Sequence, residues 1–252
     1  MATAAHRPNV SAAEWQARQQ LAACYRIFDH MGWSELIYNH ITLRVPDEEN
    51  AFLINPFGLG YQEVMASNLV KIDIEGQVLD ASPYPVNRAG FTQHSVFHRH
   101  LADAHCIIHT HTTAGMAVSA CAEGLRPISF YAAALIGRIA YHDFEGVTIR
   151  PEEGERLIGN LGDRRVMMLR NHGTLVMAAS LPEAFLTHWL LQRACEIQVA
   201  AGAAGTPIDI PADVIAVHQR DLAGVQLPVG PGVPDFQAMV RVIDRIDPSW
   251  RD

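Results

Sequence analysis

His109 and His111 stand two residues apart at the end of the apolar run Cys106, Ile107 and Ile108. In a strand the side chains at i and i+2 point to one face, so these two imidazoles can converge on a single ion. Two ligands do not make a catalytic centre, because a working Zn²⁺ or Fe²⁺ site takes three protein ligands and keeps a position open for water or substrate. His172 is the third candidate. It lies between two short apolar segments, Arg165 to Leu169 and Thr174 to Met177, and precedes Gly173, whose backbone freedom can bring an imidazole close to a neighbouring strand. Singly, each of these histidines reads as a polar residue at a strand end or turn; the combination of His-x-His with Asn-His-Gly reads as a metal site. A divalent ion held there, with a position open, would act as a Lewis acid on a bound oxygen.

The chain carries 13 histidines against 19 Lys plus Arg. His94 lies one helical face from the strand that holds His109, and reads as a core residue or as support behind the ligands. His98 and His100 beside Arg99, and His188 and His218 among polar neighbours, read as surface residues.

The elements that must position these groups follow from periodicity. Ser11 and Glu14 have capping-box spacing ahead of apolar residues at helical intervals, predicting a helix that ends near Gly32. Leu36 to Pro46 and Ala51 to Ile54 are strand-like. Val70, Ile72 and Ile74 alternate with polar residues before a Glu75-Gly76 turn, a hairpin signature. Phe91 to Ala102 reads as a helix, Cys106 to Thr110 as a buried strand, Val147 to Ile149 as a strand and Glu152 to Leu161 as a helix. Ser180 caps a further long helix. The tail beyond Ala203 is rich in Gly and Pro, with a last short helix at Asp235 to Ile246, and is expected to wrap over a surface. Interleaved helices and hairpins predict an α/β or α+β domain with a largely antiparallel sheet.

Composition narrows the partners. Hydrophobic residues make up 49% of the 252 residues and charged residues 18%, enough for a sizeable core. A formal net charge of −8 disfavours nucleic acid or an anionic membrane surface. The four cysteines form no CxxC pair and no apolar run reaches membrane-span length, so cytoplasmic residence is expected.

Four segments together, CIIHTHTTAGMAVSA (Cys106 to Ala120), LRNHGTLV (Leu169 to Val176), YNHITLRVP (Tyr38 to Pro46) and INPFG (Ile54 to Gly58), resemble the class II aldolase/adducin family. The likeness implies a three-layer αβα fold around a central, mostly antiparallel sheet, with residues 1–202 as the family domain and 203–252 as an extension packed on it or on a neighbouring subunit. It also implies a homotetramer with active sites between subunits, and a divalent metal held by His109, His111 and His172, zinc ahead of manganese or iron.

The departures carry as much information. Where the sugar-phosphate aldolases place a proton-shuttling glutamate, this chain has Gly90. Where they have a phosphate cradle, it has Asn39, His40 and Phe57. Phosphate recognition needs clustered N–H and O–H donors, and Phe57 supplies neither; the pattern YNHITLRVP with NRAGF (Asn87 to Phe91) resembles the adducin-like branch. The expected activity is therefore a metal-dependent lyase acting on a small non-phosphorylated oxo or hydroxy acid. The proton would come from His40, His94 or Tyr131 of a neighbouring subunit, with Asn39 and Arg88 as substrate-binding candidates. An iron or manganese oxygenase or decarboxylase on the same scaffold, and a non-catalytic adducin-like assembly module, are the alternatives.

Overall fold

A computed structural model describes residues 8–148, 150–225 and 228–252. Helix α1 (Ala12–His30) starts where the Ser11 hydroxyl accepts the Glu14 N–H at 3.0 Å. The Glu14 carboxylate does not complete the capping box. It turns inward, accepting from Arg18 Nε and from Lys71 Nζ, each at 2.9 Å, while Arg18 also donates to the Leu69 carbonyl and to Asp80.

Strands β1 (His40–Arg44), β2 (Ala51–Ile54) and β3 (Val70–Asp73) precede helix α2 (Arg88–His100) and strand β4 (Cys106–Thr110). Then come α3 (Thr113–Ser119), α4 (Phe130–Leu135), β5 (Ile139–His142), α5 (Pro151–Leu161), β6 (Val166–Leu169) and β7 (Gly173–Ala178). Helices α6 (Leu181–Ala204), α7 (Ala212–Gly224) and α8 (Val233–Ile246) complete the order. The seven strands form one sheet in the order β3-β2-β1-β4-β7-β6-β5, antiparallel except for the parallel pair β5–β6. The architecture is a three-layer α/β fold with a mostly antiparallel sheet at its centre.

Strand alternation divides the core. Cys106 and Ile108 of β4, with Ile41 and Leu43 of β1, face Tyr25, Phe28 and Phe185 of α1 and α6. Ile107 of β4, with Leu175 and Met177 of β7, faces Phe97 of α2 and Leu157 of α5. Val176 and Met168, on the same side as α6, pack with Val118, Leu135 and Leu191. Beyond α6, Gln219 of α7 donates to the Ala133 and Ile136 carbonyls, and Phe236, Ile243 and Trp250 are buried in the α1 layer. Among the described residues no helix is long and apolar enough to cross a membrane.

Three expectations from the sequence are corrected. Val147 and Thr148 lie in a loop, with Ile149 outside the described residues, because β5 takes the sheet edge beside β6; Thr148 donates its hydroxyl to Glu153 at 3.0 Å instead. His98 is buried: with Phe91, His94 and Ser95 it falls on the inward stripe of α2. His188 is fully buried, sharing the inward stripe of α6 with Leu181, Ala184, Phe185 and Leu191 and stacking on Phe28 at 5.0 Å between ring centroids. Polar sequence neighbours conceal an inward position when the helix turns them outward.

Neither ring nitrogen of His188 has a hydrogen-bond partner among the described residues, and burial pushes its pKa from 6.5 down to about 3. The folded protein keeps this ring neutral while the unfolded chain protonates it. Its contribution is therefore complete above pH 6.5 and is lost progressively as pH falls toward 3. Urea denaturation of His188→Leu across that window is expected to show a shallower loss of stability on acidification, by one proton's worth of slope. An unchanged slope would contradict the assignment.

Candidate metal centre and cavity

The site is assembled at one end of the central strands. In the antiparallel ladder His40 of β1 pairs with His109 of β4, which pairs in turn with Leu175 of β7. Cross-strand partners share a face, so His40 and His109 project together toward α2. His111 follows one residue past β4, where the Asn39 side chain accepts its backbone N–H at 2.9 Å. His172 arrives from the three-residue turn between β6 and β7. Asn171 takes the left-handed conformation there (φ 58°), and a Cβ on Gly173 would overlap the Thr110 carbonyl oxygen. The freedom expected of Gly173 is thus one of close approach, and the positive φ belongs to Asn171.

One ligating atom from each of His109, His111 and His172 lies within 4.8 Å of the others. His109 Nδ1 lies 2.9 Å from the Thr174 carbonyl. A carbonyl only accepts, so Nδ1 carries the proton and the neutral ring keeps its Nε2 lone pair free. His111 Nε2 lies 2.8 Å from that lone pair. Burial holds all three rings below the ordinary imidazole range: His109 well below it, His172 at about 4, and His111 in the same direction. Neutral rings, an oriented tautomer and mutual approach are what a divalent cation requires of three imidazoles. The residues fit such an ion.

These histidines floor a cavity of about 420 Å³. Its walls include Tyr38, Phe57, Phe144 and Val147, with Asn87 and Gln93 among the polar groups and, among the described residues, no Lys, Arg, Asp or Glu side chain. A larger cleft of about 940 Å³, near Glu48 and Arg99, holds none of the trio.

The remaining candidates fall in different places. His40 lines the cavity; burial pushes its pKa down to about 4. His94 lies directly behind it, the two rings 4.2 Å apart at their centroids. Asn39 is buried and spends its side chain between the His111 N–H and the Trp33 carbonyl. Arg88 is exposed at the start of α2 and lines a separate cleft with Phe91 and Arg99. Tyr131 is on α4, edge-on to Trp189, outside this cavity. The apolar walls Phe144 and Val147 escaped sequence reading, because nothing local in an irregular loop announces which cavity it faces.

A sequence model of the family described as "Class II Aldolase and Adducin N-terminal domain" matches residues 19–199. A Caulobacter vibrioides protein, named by inference as an aldolase class 2 protein, is 42% identical over 246 residues, covering 96% of this chain and 95% of that one. Rat alpha-adducin is 42% identical over 243 residues, 91% of this chain but 33% of that protein. The crystal structure of an aldolase II superfamily protein from Pseudomonas syringae superimposes with a TM-score of 0.92 at 42% identity, covering 97% of this chain and 98% of that one.

Gly173→Ala forces the β6–β7 turn away from Thr110 and displaces His172. Zinc affinity, measured by competition with a chromogenic chelator, is expected to fall about tenfold or more. Wild-type affinity in that variant would show that the close approach does not set the ligand.

Proposed function

We propose that this chain, which belongs to the class II aldolase and adducin family, is a divalent-metal-dependent lyase acting on a small non-phosphorylated oxo or hydroxy acid. The reaction is carbon–carbon cleavage or decarboxylation, with His109, His111 and His172 as ligands and zinc as the ion ahead of manganese or iron. The observation that carries this reading is the convergence of three neutral imidazoles at the floor of a cavity whose described lining residues include no Lys, Arg, Asp or Glu. A cation held there supplies Lewis-acid polarisation of a bound oxygen.

The chain's own residues supply the rest. A Cβ built on Gly90 would lie 2.7 Å from His40 Cε1 and 3.0 Å from His40 Nε2. A side chain at position 90 and the His40 ring therefore compete for one space, and glycine with histidine forms a matched pair there. His40 is the group that moves the proton, in the place a residue-90 side chain would enter. His94 backs it. Phe57, Phe144 and Val147 give the cavity apolar walls, and the lack of cationic side chains among the described lining residues argues against a phosphate group.

Asn39 acts on substrate through the His111 backbone it holds, and Arg88 and Tyr131 enter only if a neighbouring subunit closes over the cavity. Tyr38, Phe144 and Val147 are each more than half exposed in the single chain, which supports such closure. A cytoplasmic homotetramer with shared active sites is part of the same proposal. The identity to alpha-adducin favours a second reading, a non-catalytic assembly module.

Protein purified without chelators is expected to hold about one divalent ion per chain by elemental analysis, and His109→Ala to lose it. A chain that cannot be loaded with Zn²⁺, Mn²⁺ or Fe²⁺ would favour the module. With an oxo- and hydroxy-acid panel, His40→Ala should keep the metal and lower kcat by about 100-fold. Oxygen uptake during turnover would point to an oxygenase, and rapid cleavage of a sugar phosphate would refute the reading of the cavity walls.

A further inference from the structure

Thr42 is two residues from His40 on β1 and projects from the same sheet face, the one covered by α2. On α2, His94 and His98 are spaced by one helical turn and are both buried. The Thr42 Oγ1 lies 2.8 Å from His94 Nδ1 and 2.8 Å from His98 Nε2. His98 Nδ1 lies 2.9 Å from the Ala104 carbonyl oxygen.

The donors in this row are forced. The carbonyl can only accept, so His98 Nδ1 carries the proton; burial keeps the ring neutral, its pKa pushed down to about 3, and Nε2 is then a lone pair. A hydroxyl has one proton, and Thr42 gives it to His98 Nε2. Its oxygen is left to accept, and His94 Nδ1–H donates to it. His94 Nε2 is thereby a lone pair as well, buried and without a hydrogen-bond partner among the described residues. The ring of His40 packs 4.2 Å from that of His94. A buried orphan acceptor is costly, so its place in the fold calls for a reason. This row ends on an unpartnered lone pair of the ring that packs against His40, the cavity's histidine.

We infer that the Ala104 carbonyl, His98 and Thr42 form a one-way hydrogen-bond chain that locks His94 in its Nδ1-protonated tautomer and holds its Nε2 lone pair beside His40. Thr42 and His98 are then positioning residues for His40. The inference rests on His40 as the proton-moving group of the proposed lyase. The chain's direction itself needs no substrate to observe.

The test is long-range ¹H–¹⁵N correlation on zinc-loaded, ¹⁵N-histidine-labelled protein, with resonances assigned from His94→Gln and His98→Gln. Both rings are expected in the Nδ1–H form, the reverse of the tautomer favoured by free imidazole side chains. Thr42→Val should shift His94 out of that form and lower kcat about tenfold at unchanged KM, and Thr42→Ser should restore both. A proton on His94 Nε2 in the unaltered protein overturns the inference, as does Thr42→Val with the wild-type tautomer or with undiminished turnover. If Thr42→Val does not fold, the spectrum of the unaltered protein decides. If no lyase activity is found, the functional reading fails on its own while the tautomer measurement still judges the chain.

Discussion

The registry of β4 between β1 and β7 is the constraint on which the site depends. It sets His40 opposite His109 and brings Thr174 of β7 within reach of His109 Nδ1. Strand side chains alternate with period two, so a slip of one residue would turn His109 into the α1 layer and Ile108 toward α2. The apolar alternation that prevents this slip, Cys106 and Ile108 one way and Ile107 the other, is also what aims the imidazoles. Core formation and site construction are the same event on this strand.

Burial then gives those imidazoles their character. His40, His94, His98, His109 and His172 are all held below the ordinary histidine pKa, chiefly by desolvation. Among the described residues that line the cavity none offers a charged ring a counter-charge, although Glu35 acts on His111 from outside it and the buried Glu153 accepts from Thr148 of its wall. The main buried ionic cluster lies elsewhere, around Glu14, Arg18, Asp80 and Lys71, where each charge meets an opposite one. The neutral rings are left as a store of lone pairs.

Two glycines shape the space around this store by what they leave out. Gly173 lets the turn bearing His172 approach the end of β4, and Gly90 leaves room for the His40 ring. The second is the informative one: Gly90 is on α2 and His40 on β1, so only the fold brings the ring into the space that a side chain at position 90 would fill.

The sequence by itself determined the three ligand candidates, the antiparallel centre of the sheet and the starts of α1 and α6, because these depend on short-range spacing: His-x-His on a strand, Asn-His-Gly at a turn, Ser11 and Ser180 as caps. Only the tertiary structure decided that His98 and His188 are interior and that Val147 borders the cavity as loop. It also decided that His40 fills the place beside Gly90 and that Thr42 joins His94 to His98. Each of these rests on contacts between residues distant in the chain or on which stripe of a helix turns inward. A local pattern of residue types does not encode them, since the hydrogen-bond partner of a buried imidazole is chosen by packing and not by its neighbours in sequence.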